Sequence, residues 1–276
     1  MTNRDGFDLP LSLPRRLICD YLHAARQVPT VSVERLLDLS PLQQARQKLS
    51  SRPGWCALFT KAWACVAIQR PELRRSFLSF PYERLYQHPQ STASIAIERD
   101  YEGEPAVFFL PITRPETRSL AELDHRIQDF RFCPLDARGH LRRHLAQARR
   151  PAWLRRWIYW LGSNTRGVWR DRYFGTFGVS SYAHLGAQSM GPLTVLTSTL
   201  SYGRVENDGR CLTRVSYDHR VLDGGSIARA LNELEAVLNK QLLAELVDYA
   251  PRARPCDAVL CPEGSNELTT PDRWLH

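Results

Sequence analysis

Long apolar runs are missing from this 276-residue chain, and nothing in it approaches the eighteen or more consecutive apolar residues that cross a bilayer as a helix. Its opening, Met1-Thr2-Asn3-Arg4-Asp5-Gly6, is polar and lacks the apolar core of a secretory signal. Cysteines number seven, odd and scattered, so they do not form a disulfide framework; reduced, mostly buried thiols in a cytoplasmic protein are the expectation. Cys256 and Cys261 are the one close pair, and no second pair or histidine stands near to complete a metal site. Internal repeats and low-complexity linkers are absent too, which argues against solenoids and tethered modules.

Acid is scarce in one stretch. Arg138 to Arg172 holds ten arginines and a single acid, Asp171, whereas the whole chain carries a net charge of +8. The basic excess is therefore local and points to a local anionic partner.

What is present is a mixed pattern of helices and strands. Leu17, Ile18, Tyr21 and Leu22 fall on helical spacing, Val31 to Leu36 reads as a strand, and Pro41 to Ser50 as a helix. Ala57 to Ile68 is apolar on nearly every side and reads as a buried helix. Ala93 to Ile97 and Ala106 to Ile112 read as strands around the turn at residues 101–104, followed by a helix over Ser119 to Phe130. Thr176 to Ser180, Leu193 to Val205 and Arg210 to Tyr217 read as strands, the last two joined by the hairpin signal Asn207-Asp208-Gly209. Ile227, Leu231, Leu234, Leu238 and Leu242 stripe a long helix from Gly225 to Leu246. Residues 1–250 form one α/β domain on this reading, and 251–276 a proline-rich tail.

His219 stands between a predicted strand and the Gly224-Gly225 turn that opens the long helix. Histidine as a residue type, with an unperturbed pKa near neutrality, suits a general base. Asp223 belongs to the same loop, where it can orient a neighbour or pair with a cation. From the residues alone, a histidine satisfied in a strand-to-helix turn is the competing reading.

Asp218-His219-Arg220-Val221-Leu222-Asp223-Gly224-Gly225 resembles the active-site signature of the dihydrolipoyl acyltransferases of 2-oxo acid dehydrogenase complexes. Its looser His-x-x-x-Asp-Gly core is shared with chloramphenicol acetyltransferase. Residues 175–181, Gly-Thr-Phe-Gly-Val-Ser-Ser, are similar to the strand that ends in the family's oxyanion-stabilising hydroxyl, and residues 10–16, Pro-Leu-Ser-Leu-Pro-Arg-Arg, to its N-terminal segment. The likeness runs from about residue 8 to 247. It implies a chloramphenicol acetyltransferase-like two-layer sandwich of mixed sheet and helices, trimeric, with active sites between subunits. It also implies that His219 is the general base and that Ser180, rather than Ser181, stabilises the oxyanion. Asp223 and Arg15, rather than Arg16, would form an ion pair holding the loop.

The implied reaction moves an acyl group from a thioester, with coenzyme A as co-substrate and no metal, to a small-molecule acceptor. The family's lipoyl and subunit-binding domains have no counterpart in these residues, so the expectation is that no lipoyl group is attached to this chain. A lipoyl group supplied in trans and a catalytically silent trimeric scaffold are the alternatives. Residues 184–193 depart from the family's usual asparagine- and proline-rich loop, which implies a changed pocket. The largest departure is at 149–169. Trp153, Trp157 and Trp160 fall there on one helical face, and four of the seven tryptophans lie in the stretch. Three readings compete: an aromatic face packed on the domain with its arginines solvated, a greasy entrance whose arginines meet coenzyme A phosphates, or an interfacial helix on an anionic membrane. Nucleic-acid binding is disfavoured, since no helix-turn-helix, zinc-finger or RNA-binding signature accompanies the basic and aromatic residues.

Overall fold

The structure, a computed structural model, describes residues 6–132 and 139–249. The tail from Pro251, with Cys256 and Cys261, lies outside the described residues.

A six-stranded mixed sheet organises the chain. Its strands are β1 (Thr30–Asp38), β4 (Thr92–Tyr101), β5 (Glu104–Thr113), β6 (Phe177–Ser180), β7 (Ser198–Tyr202) and β8 (Arg210–Asp218), in the order β1-β8-β7-β6-β4-β5. β4, β6 and β7 run parallel, and the remaining pairs are antiparallel. A two-stranded ribbon, β2 (Arg75–Leu78) with β3 (Arg84–Gln87), lies apart from it. The sequence reading missed this ribbon because its strands are four residues each and alternate too briefly to stand out. The β7–β8 hairpin forms where Asn207-Asp208-Gly209 places it. Gly209 sits at φ +85°, and a Cβ there would come within 2.4 Å of Ser40, so only glycine fits.

Side chains alternate across the sheet, and its two faces differ sharply. One face presents Ile95, Phe177, Val179, Leu200, Val215 and Tyr217 to the main core. Against it lies α3 (Trp55–Gln69), the helix expected to be apolar on nearly every side, which buries Phe59 and Trp63 completely. Lys61 is buried in that helix as well, satisfied by both oxygens of Glu245 at 2.7 and 2.6 Å and by the Arg118 carbonyl at 2.7 Å. α2 (Ser40–Gln47), α4 (Leu120–Phe132) and α8 (Gly224–Val237) complete this layer. The long C-terminal helix continues past α8 through a π-turn at Leu238–Leu242 into α9 (Leu243–Val247).

The other face carries small and polar residues: Ser94, Gly178, Ser180, Thr199, Ser216 and Asp218. It is covered in part by α1 (Leu13–Ala25), which packs on β5, on α5 (Gly139–Ala148) and on α6 (Ala152–Asn164). α7 (Gly167–Phe174) leads from α6 back into the sheet. The segment expected as a strand from Leu193 is irregular until Ser198. There the Thr194 hydroxyl accepts the Leu196 N–H at 3.0 Å, a local bond that competes with strand pairing. Among the described residues no helix is long and apolar enough to cross a membrane.

Candidate active site

His219 follows β8 in a tight turn. The Asp218 carbonyl accepts the N–H groups of Val221 and Leu222 at 3.0 and 3.1 Å, and the His219 N–H reaches the Pro29 carbonyl at 3.1 Å. The Asp218 carboxylate is fully buried and accepts from Arg220 three times, from the backbone N–H at 3.0 Å, Nε at 2.9 Å and Nη2 at 2.8 Å. A buried carboxylate demands such pairing, and here the pairing clamps the residues on both sides of the histidine. The Arg220 guanidinium also lies over the Phe77 ring at 4.3 Å. Sequence reasoning gave Asp218 and Arg220 no chemical part; the structure makes them the posts on which His219 is mounted.

The His219 ring packs on Tyr217, with centroids 5.7 Å apart, and its side chain is 50% exposed. Nδ1 stands 3.7 Å from Asp223 Oδ1. Asp223 caps α8 through its carbonyl, which accepts the N–H groups of Ser226 and Ile227. Its carboxylate is left in solvent at the positive end of that helix.

Ser180 ends β6 on the polar face and lines a cavity of about 460 Å³ between the sheet and α1. The walls are chiefly apolar, including Ile18, Leu22, Val107, Phe109 and Leu193. Tyr21 stacks on Phe109 at 5.2 Å, and burial raises its phenol above the ordinary value. Gly178 forms part of the floor. A Cβ there would meet Thr199 Oγ1 at 2.8 Å and Leu196 Cδ1 at 3.0 Å, so a side chain would close the space. The neighbouring Ser181 is committed elsewhere, donating to the Tyr202 carbonyl at 2.9 Å and accepting the Ala183 N–H at 3.2 Å. Of the two adjacent serines, Ser180 is the one that lines the cavity.

The expected ion pair between Arg15 and Asp223 is not formed within the chain. Arg15 Nη2 pairs with Glu104 at 3.2 Å, and Arg16 Nε donates to the Leu11 carbonyl at 3.1 Å. Sheet topology explains this. Arg15 opens α1 beside the Ser180 cavity, and the helix then runs 13 residues, about 20 Å, toward the end of the sheet where His219 and Asp223 stand.

Ser180 and His219 are separated for the same reason. Ser180 pairs in register with Ser201, and Ser201 with Arg214, whereas His219 lies beyond the far end of β8. Five residues along one strand and two strand spacings put them on the order of 20 Å apart. Arg15 and Ser180 thus share one cavity, His219 and Asp223 share one loop, and the two groups stand at opposite ends of the sheet.

The tryptophan stripe on α6 is largely exposed: Trp160 meets Phe80 edge-on at 5.8 Å, while Trp153 and Trp157 face solvent. Trp153, Trp157 and Trp160 are 71, 56 and 38% exposed. It is Arg155 that is buried, with Nε 2.5 Å from Asp20 Oδ2. The buried face of α6 runs through Arg155, Tyr159, Gly162 and Ser163, where small residues admit Tyr173 of α7 to close range. A sequence rule that buries tryptophan and solvates arginine fails here because Asp20 neutralises the one arginine on the inner face. None of the three tryptophans lines the Ser180 cavity.

This architecture, a six-stranded mixed sheet with helices, is the fold of chloramphenicol acetyltransferase-like acyltransferase cores. Solved structures with the same fold include a probable dihydrolipoamide acetyltransferase of Listeria monocytogenes, with TM-score 0.60, 19% identity, and coverage of 85% of this chain and 95% of that one. The dihydrolipoamide acetyltransferase of Azotobacter vinelandii gives TM-score 0.62 at 18% identity, covering 88% of this chain and 94% of that one. A truncated catalytic core of the 2-oxoacid dehydrogenase multienzyme complex from Thermoplasma acidophilum gives 0.57 at 17% identity, with coverage of 85 and 99%. No family model and no curated protein matches the chain.

Proposed function

We propose that this protein is an acyltransferase whose active site is completed between copies of the chain, His219 of one facing the Ser180 cavity of another. The observation that carries the reading is the separation of the two groups within a fold shared with dihydrolipoamide acetyltransferase cores. A cyclic trimer is the assembly we favour, since head-to-tail contacts join the His219 end of each copy to the Ser180 end of the next. The A. vinelandii enzyme has been studied for the catalytic roles of a serine, a histidine and an asparagine four residues after that histidine. Asp223 holds the corresponding offset from His219.

In the proposed reaction His219 Nε2 takes the proton of a thiol, hydroxyl or amine as that atom attacks the thioester carbonyl carbon. Ser180 donates to the resulting oxyanion, an interaction worth roughly 3 kcal/mol of barrier. Collapse of the tetrahedral intermediate breaks the carbon–sulfur bond, and the departing thiolate takes the proton from His219. An acyl-coenzyme A is the donor we favour, leaving as coenzyme A, and a small molecule the acceptor. The cavity, of a size suited to small-molecule ligands, receives the apolar part of the substrate. A lipoyl group supplied in trans is the second acceptor considered, favoured by the dihydrolipoamide acetyltransferases that share the fold.

The test is acceptor-dependent release of free thiol from acyl-coenzyme A donors of graded chain length, for the native protein and His219→Ala. A loss of at least about 100-fold in the variant is expected of a general base. Activity that survives the substitution removes His219 from this role.

A further inference from the structure

A second cavity, of about 60 Å³, lies between α1, α6 and the turn after Asp218. A single water needs about 10–15 Å³, so the space suits one small group and not a whole cofactor. Arg156, Arg170 and Arg220 line it together with His23, Gln27 and Asn164, and no carboxylate is among its lining residues.

Arg170 is the telling residue. It is 3% exposed, and its Nη1 and Nη2 are held by the carbonyls of Ser163 and Val195. Its Nε–H is buried without a hydrogen-bond partner. A native fold seldom leaves a buried charged donor unmet. Burial draws the guanidinium down to about 10, the mark of a cation short of negative charge nearby. Asp218, the carboxylate that acts on it, is already bound three times over by Arg220. Arg156, on the open side, has no acidic partner among the described residues. Planar guanidinium groups converging on a small polar space are the usual means of holding tetrahedral oxyanions.

We propose that the cavity formed by Arg156, Arg170 and Arg220 binds a phosphate group, one turn of chain away from His219. The position fits two sources. Arg220 adjoins the histidine in sequence, so a phosphate carried by the thioester donor would be anchored beside the base. Trp160 also lines the cavity, and the exposed Trp157 stands one helical turn before it, so a lipid headgroup could enter from that side. The site is independent of the acyl-transfer reading, because it is detected by binding and not by turnover.

The experiment follows thermal unfolding of the full protein at fixed ionic strength, with chloride as the control. Probes are inorganic phosphate, coenzyme A, pantetheine as its phosphate-free counterpart, and vesicles of phosphatidylglycerol or phosphatidylcholine scored by co-flotation. Arg170→Met removes the central cation but also two bonds that hold the backbone, so two surface variants accompany it. Gln27→Glu places an acid in the cavity, and Arg156→Gln removes its outer cation. In chloride Arg156→Gln should unfold near the native temperature and Gln27→Glu at or above it, and both should bind phosphate at least about ten-fold more weakly, the usual worth of one charge-assisted contact. Saturable stabilisation by coenzyme A but not pantetheine assigns the phosphate to the donor. Flotation with phosphatidylglycerol alone, lost in Gln27→Glu, assigns it to lipid. No response to any phosphate-bearing probe beyond chloride, or an equal response in both surface variants and the native protein, overturns the proposal.

Discussion

Arg220 binds the carboxylate of Asp218 across the intervening histidine, through its backbone N–H, Nε and Nη2. The turn that presents His219 is therefore built from an ion pair between its two sequence neighbours. Arg220→Ala leaves Asp218 charged and buried without its partner. We expect a loss of about 3–5 kcal/mol in denaturant unfolding, and weaker turnover in whatever fraction stays folded. A variant as stable as the native protein would mean that the turn holds by its backbone bonds alone.

Complementation tests the shared site directly. Ser180→Ala and His219→Ala are each expected to be nearly inactive. Refolded together at equal amounts, they should regain about a quarter of native activity, since one site in four then pairs an intact histidine with an intact serine. Recovery no greater than the sum of the two variants would place both groups in one chain, against the sheet register.

Stability should fall with acid partly through His88. Buried beside Arg170 and Arg74, it is pulled down to about 4, chiefly by desolvation, while its Nε2 meets Ser76 Oγ at 2.9 Å. An unfolded chain binds this proton near pH 6.5 and the folded chain only near 4. The unfolded state thus gains protons first, and stability declines as pH drops through that window. The full effect is roughly 3 kcal/mol. Replacing His88 by Gln should flatten the pH dependence of the unfolding midpoint between 6.5 and 4; an unchanged slope would assign the acid sensitivity to other groups.

Trp153 and Trp157 are solvent-facing, so Trp153→Ser with Trp157→Ser should shift folding stability by less than about 1 kcal/mol. Self-association at high concentration should decrease as the exposed apolar patch shrinks, measured by light scattering. A large destabilisation would show that the stripe is packed after all.

Much of this fold can be read from residues in order. The apolar sides of α3, the Asn207-Asp208-Gly209 hairpin and the stripe of the C-terminal helix each carry a local signature, and each appears where expected. Ser180 and His219, the residues of the proposed site, are picked out in the sequence by a short motif around each, and the structure places them at the end of β6 and just past β8. Failures came where the outcome depends on what lies opposite. Arg15 meets Glu104, 89 positions away, and Arg155 meets Asp20, 135 positions away; neither pairing leaves a trace in local spacing. The unpartnered Nε of Arg170 is a property of packing alone, and no count of arginines could have singled it out.

α1 links the two ends of the sheet, with Arg15 at one half of the proposed site and Val28, just past its C-terminus, beside the other. On the proposed reading every chain carries two unmatched halves and no whole. Dilution becomes an off switch: below the concentration at which copies associate, activity per chain should vanish while each chain stays folded. A newly made, solitary copy would leave the cell's thioesters untouched until it meets its neighbours.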